Sequence, residues 1–63
     1  MTLNDQLITA ASVGDLKAVK YLVEEGANVH ARDDYALHWA SENGHQNVVD
    51  YLEMVIKLRA VNL

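Results

Sequence analysis

The chain has 63 residues, no cysteine and a net charge of −4, with 51% hydrophobic residues against 22% charged. That balance belongs to a folded chain, and the length holds at most one domain, whose stability is marginal because so small a fold buries only about 60% of its unfolded surface. The missing thiols exclude a disulfide framework and a thiolate metal site, and basic residues scattered singly give no cationic stripe for phosphates, so nucleic acid is not an expected partner.

The longest apolar runs, such as Met54 to Ile56, are too short to span a bilayer, and no cationic start precedes an apolar run near Met1. The expectation is a soluble cytoplasmic chain with no membrane partner. Asn4 or Asp5 can cap a first helix, in which Leu7, Ala10 and Ala11 make a narrow stripe of small apolar residues up to Gly14. Asp15 can cap a second helix. Its buried stripe is Leu16, Val19, Leu22 and Val23, with Lys17 and Lys20 turned to water, and Gly26 ends it. From Ala27 to Asp34 the pattern turns polar and reads as a loop on extended backbone. Asp34 can cap a third helix from about Tyr35 to Asn43, and Gly44 ends it. A fourth helix starts near His45 to Asn47 and carries Val48, Val49, Leu52, Val55 and Ile56 on one broad face.

The second half repeats the first at an offset of thirty residues. Leu7 superimposes on Leu37, Ala10 on Ala40, Gly14 on Gly44, Val19 on Val49, Tyr21 on Tyr51 and Leu22 on Leu52. A fixed period of this size marks stacked units, none of which buries its apolar face alone. The copies diverge at the end, where Ile56 replaces Gly26 and the stop signal is lost. Glu53 precedes Lys57 by four residues, the favourable order for an ion pair, and Lys57 and Arg59 suit the negative end of a helix. The fourth helix is therefore predicted to run to roughly Leu58 to Ala60, about a turn longer than the second.

The segment YALHWASENGHQNVVDYL resembles the ankyrin repeat, whose helical part follows TPLHxAAxxGHxxxVxxLL. Leu37, His38, Ala40, Gly44, His45, Val49 and Leu52 hold its marked positions, and GANVHARD resembles the family's GADVNAxD connection. Tyr35 and Ala36 replace the Thr-Pro pair, and the unit falls short of the usual length of about 33 residues at the hairpin tip, so a stubby tip is expected. Units of this length with a DDYAL start look like the arrays encoded by giant viruses of amoebae. The resemblance implies an all-α stack of two helix-turn-helix repeats, about residues 4–33 and 34–63, joined by a short hairpin-like loop. Gln46 and Glu53 stand where the first copy has Leu16 and Val23, as a solvated terminal unit would require. The apolar Val55, Ile56, Leu58, Val61 and Leu63 point instead to self-association or to one end of a longer array.

Catalytic and metal chemistry find little support. His38 and Glu42 can share a helix face, but Gly44 interrupts the helix before His45 and spoils a zinc geometry. Both histidines are expected to bond backbone groups of neighbouring turns, as the family's motif histidine does. Ser12 and Ser41 lack a nucleophile context, and Asp33 and Asp34 read as capping and solvated groups. No enzyme, cofactor or metal is expected. Trp39 is expected in the core, Tyr21 and Tyr51 packed with their hydroxyls at the edge, and Tyr35 beside the loop.

The resemblance implies a protein-interaction module. Carried over by position, its gripping surface is Arg32, Asp33, Asp34 and Tyr35 at the tip, Glu42 and Asn43 at the end of the third helix, and Ser12 and Val13 on the first. Acidic groups outnumber the single arginine there, so the expected partner is a protein with a basic patch. The alternative is a structural unit that associates with itself through Val55, Ile56 and Leu58.

Overall fold

The apolar stripes fold into helices where the periodicity places them. The computed structural model describes residues 1–61, which form α1 (Leu3–Val13), α2 (Leu16–Glu24), α3 (Ala31–Glu42) and α4 (Gln46–Val61). Leu63 and the Val61 side chain lie outside the described residues. Helix α1 pairs with α2 and α3 with α4, while α1 packs closely along α3 and α2 touches α4 more lightly. The result is two helix pairs side by side. Small residues permit the close approach of the inner helices: Ala10 and Ala11 on α1 and Ala36 and Ala40 on α3 are all buried. Leu7, Val19, Val48 and Leu52 are fully buried and fill the space between the pairs.

All three glycines close their helices in one way. Asp15 N–H donates to Ala10 O at 2.9 Å, Ala27 N–H to Leu22 O at 3.0 Å and His45 N–H to Ala40 O at 2.8 Å, each across a left-handed glycine. This bond, from the residue after the glycine to a carbonyl in the last turn of the helix, uses backbone groups the helix leaves free. Asp15 caps α2 as expected, its Oδ1 accepting Ala18 N–H at 3.1 Å.

The cap of α1 is Thr2, whose Oγ1 accepts Asp5 N–H at 3.1 Å, and neither Asn4 nor Asp5 serves. Both are drawn to the connection between the pairs. Asn4 Oδ1 accepts Asn28 N–H at 2.7 Å, and Asp5 Oδ1 accepts from Arg32 at 3.3 Å.

That connection is coiled, not extended. Ala27 and Val29 are buried, and Asn28 folds the chain over by accepting His30 N–H at 2.9 Å. Arg32, Asp33 and Asp34 then all take left-handed backbone, with φ of 55, 57 and 61°. Each such residue with a side chain costs about 1–2 kcal/mol, least for aspartate, whose short polar side chain tolerates the region. The Asp34 carboxylate meets the His30 ring nitrogen four residues earlier and does not cap α3, whose N-cap, His30, makes no side-chain capping bond to a backbone amide of the helix. A left-handed turn thus takes the place of the extended segment at the shortened tip.

Helix α4 has 16 residues against 9 in α2, nearly two turns more where about one was expected. With Ile56 in place of a glycine and half-buried against the core, nothing stops it. Glu53 and Lys57 form no ion pair among the described residues. In the first turn of α4 Gln46 Nε2 donates to Asp50 Oδ1 at 2.8 Å. Tyr51 is half-buried beneath Lys20, whose Nζ lies 5.7 Å from the ring centre. Burial first, and the Glu24 carboxylate second, raise its hydroxyl pKa above the ordinary 10.0, while Arg59 pulls the other way. Tyr21, expected to pack like Tyr51, is 62% exposed, because α2 meets no further helix on that side.

Candidate partner-binding surface

The helical period gives α1 and α3 each a stripe that faces away from the core. On α1 it runs through Asp5, Ile8, Thr9, Ser12 and Val13, and on α3 through Tyr35, His38, Trp39 and Glu42, with Asn43 just past the end of the helix. Between them lies an open groove. One end, about 260 Å³, is lined by Ile8, Thr9, Ser12, Val13 and Trp39. The other, about 270 Å³, shares Ile8 and Thr9 and adds Met1, Asp5, Arg32 and Tyr35. The shared residues make the two ends continuous.

Trp39 is not in the core. Its side chain is 37% exposed on the groove wall, and Tyr35 is 41% exposed beside it. The neighbouring Ala36 and Ala40 take the inward positions of α3, which turns residue 39 toward the surface. The Trp39 ring meets Tyr35 and His38 edge-on at 5.9 and 5.4 Å, and Tyr35 stacks with His38 at 6.2 Å. These three rings form a ridge along α3. His38 is therefore held by aromatic contacts and not by the backbone bond expected of it. His45 lies against α1, its ring over Gly14, while its backbone carbonyl accepts Val48 and Val49 N–H at the start of α4.

On the far flank of the ridge the chemistry changes. A hollow of about 320 Å³ is lined by Asp33, Asp34, Glu42 and Glu53, with Leu37, His38, Ser41 and Val49 beneath. The residues proposed from sequence thus fall into separate places. Ser12 and Val13 line the apolar groove, Arg32 and Tyr35 its tip end, and Asp33, Asp34 and Glu42 the acidic hollow. Asn43 instead ties the pairs together, its Nδ2 donating to Ser12 O at 2.8 Å and to Ser12 Oγ at 3.2 Å. Ile8, Thr9 and Trp39 were missed. The signal for Ile8 and Thr9 was present, since both share the helical face of Asp5, Ser12 and Val13.

The proposed self-association residues also divide. Val55 is buried in the core and Ile56 half-buried, which leaves Leu58, 57% exposed, to face solvent with Met54. No set of three histidine or acidic residues among the described ones is arranged to hold a metal ion, and none of the described helices is long and apolar enough to cross a membrane.

The sequence is similar to those of known proteins. The chain is 41% identical over 51 residues to a putative ankyrin repeat protein of Rickettsia felis, covering 76% of this chain and 81% of that one. It is 38% identical over 52 residues to mouse Ankyrin repeat domain-containing protein 40. There the match covers 76% of this chain but only 14% of the relative, so this chain corresponds to a small part of that protein. A putative ankyrin repeat protein of Acanthamoeba polyphaga mimivirus is 51% identical over 35 residues, 56% of this chain and 14% of its own length. No solved structure gives a significant match. The family profile described as "Ankyrin repeats (3 copies)" matches residues 4–59, and with four helices in two stacked pairs over that span, the chain belongs to the ankyrin repeat family.

Proposed function

We propose that the chain is a non-catalytic module that grips another protein through the α1/α3 groove and the turn at its end, acting in the cytoplasm. Ankyrin repeats are in general protein-interaction modules. The observation that carries the reading here is the exposure of Trp39 and Tyr35 along a groove, in a domain whose core is built of Ala, Val and Leu. Large aromatics left in solvent at a concave surface are the residues that dominate binding energy when a partner covers them. The acidic side chains beside the groove favour a partner with a basic patch. Binders selected from a displayed library of protein domains should lose about tenfold or more in affinity to Trp39→Ala, and little to Lys17→Ala on the opposite side. Equal losses from the two variants, with unchanged melting, would remove the groove from the reading.

A second reading, self-association, has its support in the exposed Met54 and Leu58 on α4. Melting the chain at two concentrations about a hundredfold apart discriminates the two, because mass action raises the midpoint of an assembled species. A midpoint that rises in the native chain and not in Leu58→Lys would favour assembly. A constant midpoint would leave the groove as the working surface.

A further inference from the structure

The chemistry of the partner segment can be taken further, on the reading that the α1/α3 face is the binding surface. The groove wall of Ile8, Thr9, Ser12, Val13 and Trp39 carries no charge. Directly across α3, the hollow brings Asp33, Glu42 and Glu53 together beside Asp34, which holds His30; no lysine or arginine is in its lining, and Lys57 stands in the adjoining hollow that shares Asp34 and Glu53. Arg32, the nearest arginine in sequence, is turned to the other flank, where it donates to Asp5 at 3.3 Å. His38 lines the hollow while Trp39, the next residue, lines the groove, so only the width of one helix separates the two.

We propose that this surface reads a segment carrying one apolar side chain and, a short fixed distance along, one or two lysines or arginines. The apolar group seats against Trp39, and the cationic stems cross the faces of the aromatic ridge to reach the carboxylates. Exposed aromatic faces attract such cations, and the methylene stems cover apolar surface on the way. The spacing follows from geometry. A helix with its side chains is about 10–12 Å across, and an extended chain advances about 3.3 Å per residue, so the apolar and basic positions stand roughly three or four residues apart.

A randomised peptide library selected against the immobilised chain tests this, with labelled clones then titrated by fluorescence anisotropy. The enriched clones should share an apolar residue with Lys or Arg three or four positions away. Trp39→Ala should weaken them about tenfold or more. Glu42→Lys with Glu53→Lys, both on regular helix and clear of the left-handed turn, should weaken them by a similar factor, and raising salt from about 50 to about 500 mM should weaken binding to the native chain. Far-UV melts establish that each variant is folded. Clones that depend on Trp39 but show no basic bias and ignore the charge reversal would overturn this inference while leaving the groove as a binding surface. A selection yielding only clones indifferent to Trp39→Ala would overturn both.

Discussion

Gly14→Ala should lower the stability of the chain by about 2–4 kcal/mol, enough to unfold much of so small a domain at ordinary temperature. Two costs coincide at this position. Gly14 sits at φ +80°, where an alanine pays about 1–2 kcal/mol in backbone conformation, partly offset by the smaller entropy of its unfolded chain. A Cβ there would also lie 2.5 Å from His45 Nδ1 and 2.7 Å from the adjacent ring carbons, closer than atoms tolerate. The ring must move or the two helix pairs must part, and forced overpacking of this kind costs about 1–3 kcal/mol. Gly44, its counterpart in the second pair, has φ +76° and open space where a Cβ would point, with no atom within 4 Å, so Gly44→Ala should cost only the conformational part, about 1 kcal/mol. Urea titrations followed by far-UV circular dichroism compare the two directly. Equal losses would show that His45 yields freely, whereas partial recovery in Gly14→Ala with His45→Ala would assign the difference to the ring.

The second large effect separates two leucines that the repeat makes equivalent. Leu7→Ala should cost about 2–5 kcal/mol, the usual range for a leucine emptied from a closed core, since Leu7 is 0% exposed between the helix pairs. Leu37→Ala should cost about half of that or less. Leu37 occupies the same place in the second pair but is only partly buried, its outer side opening on the acidic hollow. A site already open to water leaves no cavity when the side chain is shortened. Denaturation midpoints at constant slope give both numbers. Matching losses would mean that Leu37 is covered in solution, as it would be in an assembly.

The sequence by itself determined the body of each helix and where α1, α2 and α3 end. The stripes of α1, α2 and α4, the left-handed glycines and the Asp15 cap all rest on short-range spacing and bonds within five residues. The repeat offset likewise announced two stacked pairs. Half of the binding surface was legible for the same reason, since Ser12, Val13 and Tyr35 lie on helical faces that periodicity defines.

Only the tertiary structure decided the rest. Asn4 is as good a cap as Thr2 by local chemistry, but the connection offers it Asn28 N–H across 24 residues, and Thr2 takes the cap. Asn43 is polar and exposed in sequence terms, yet the approach of α3 to α1 sets it against Ser12 as a tie. Trp39 looked like core because it holds the apolar position within the LHxA motif and a large aromatic in so small a domain is usually buried. The packing of α3 against α1 reversed this: Ala36 and Ala40 take the buried positions of α3, which leaves residue 39 on the groove wall. Periodicity states which face of a helix is apolar, but which part of that face is covered depends on the separation and angle of the helix opposite, and those are set by side chains distant in the chain.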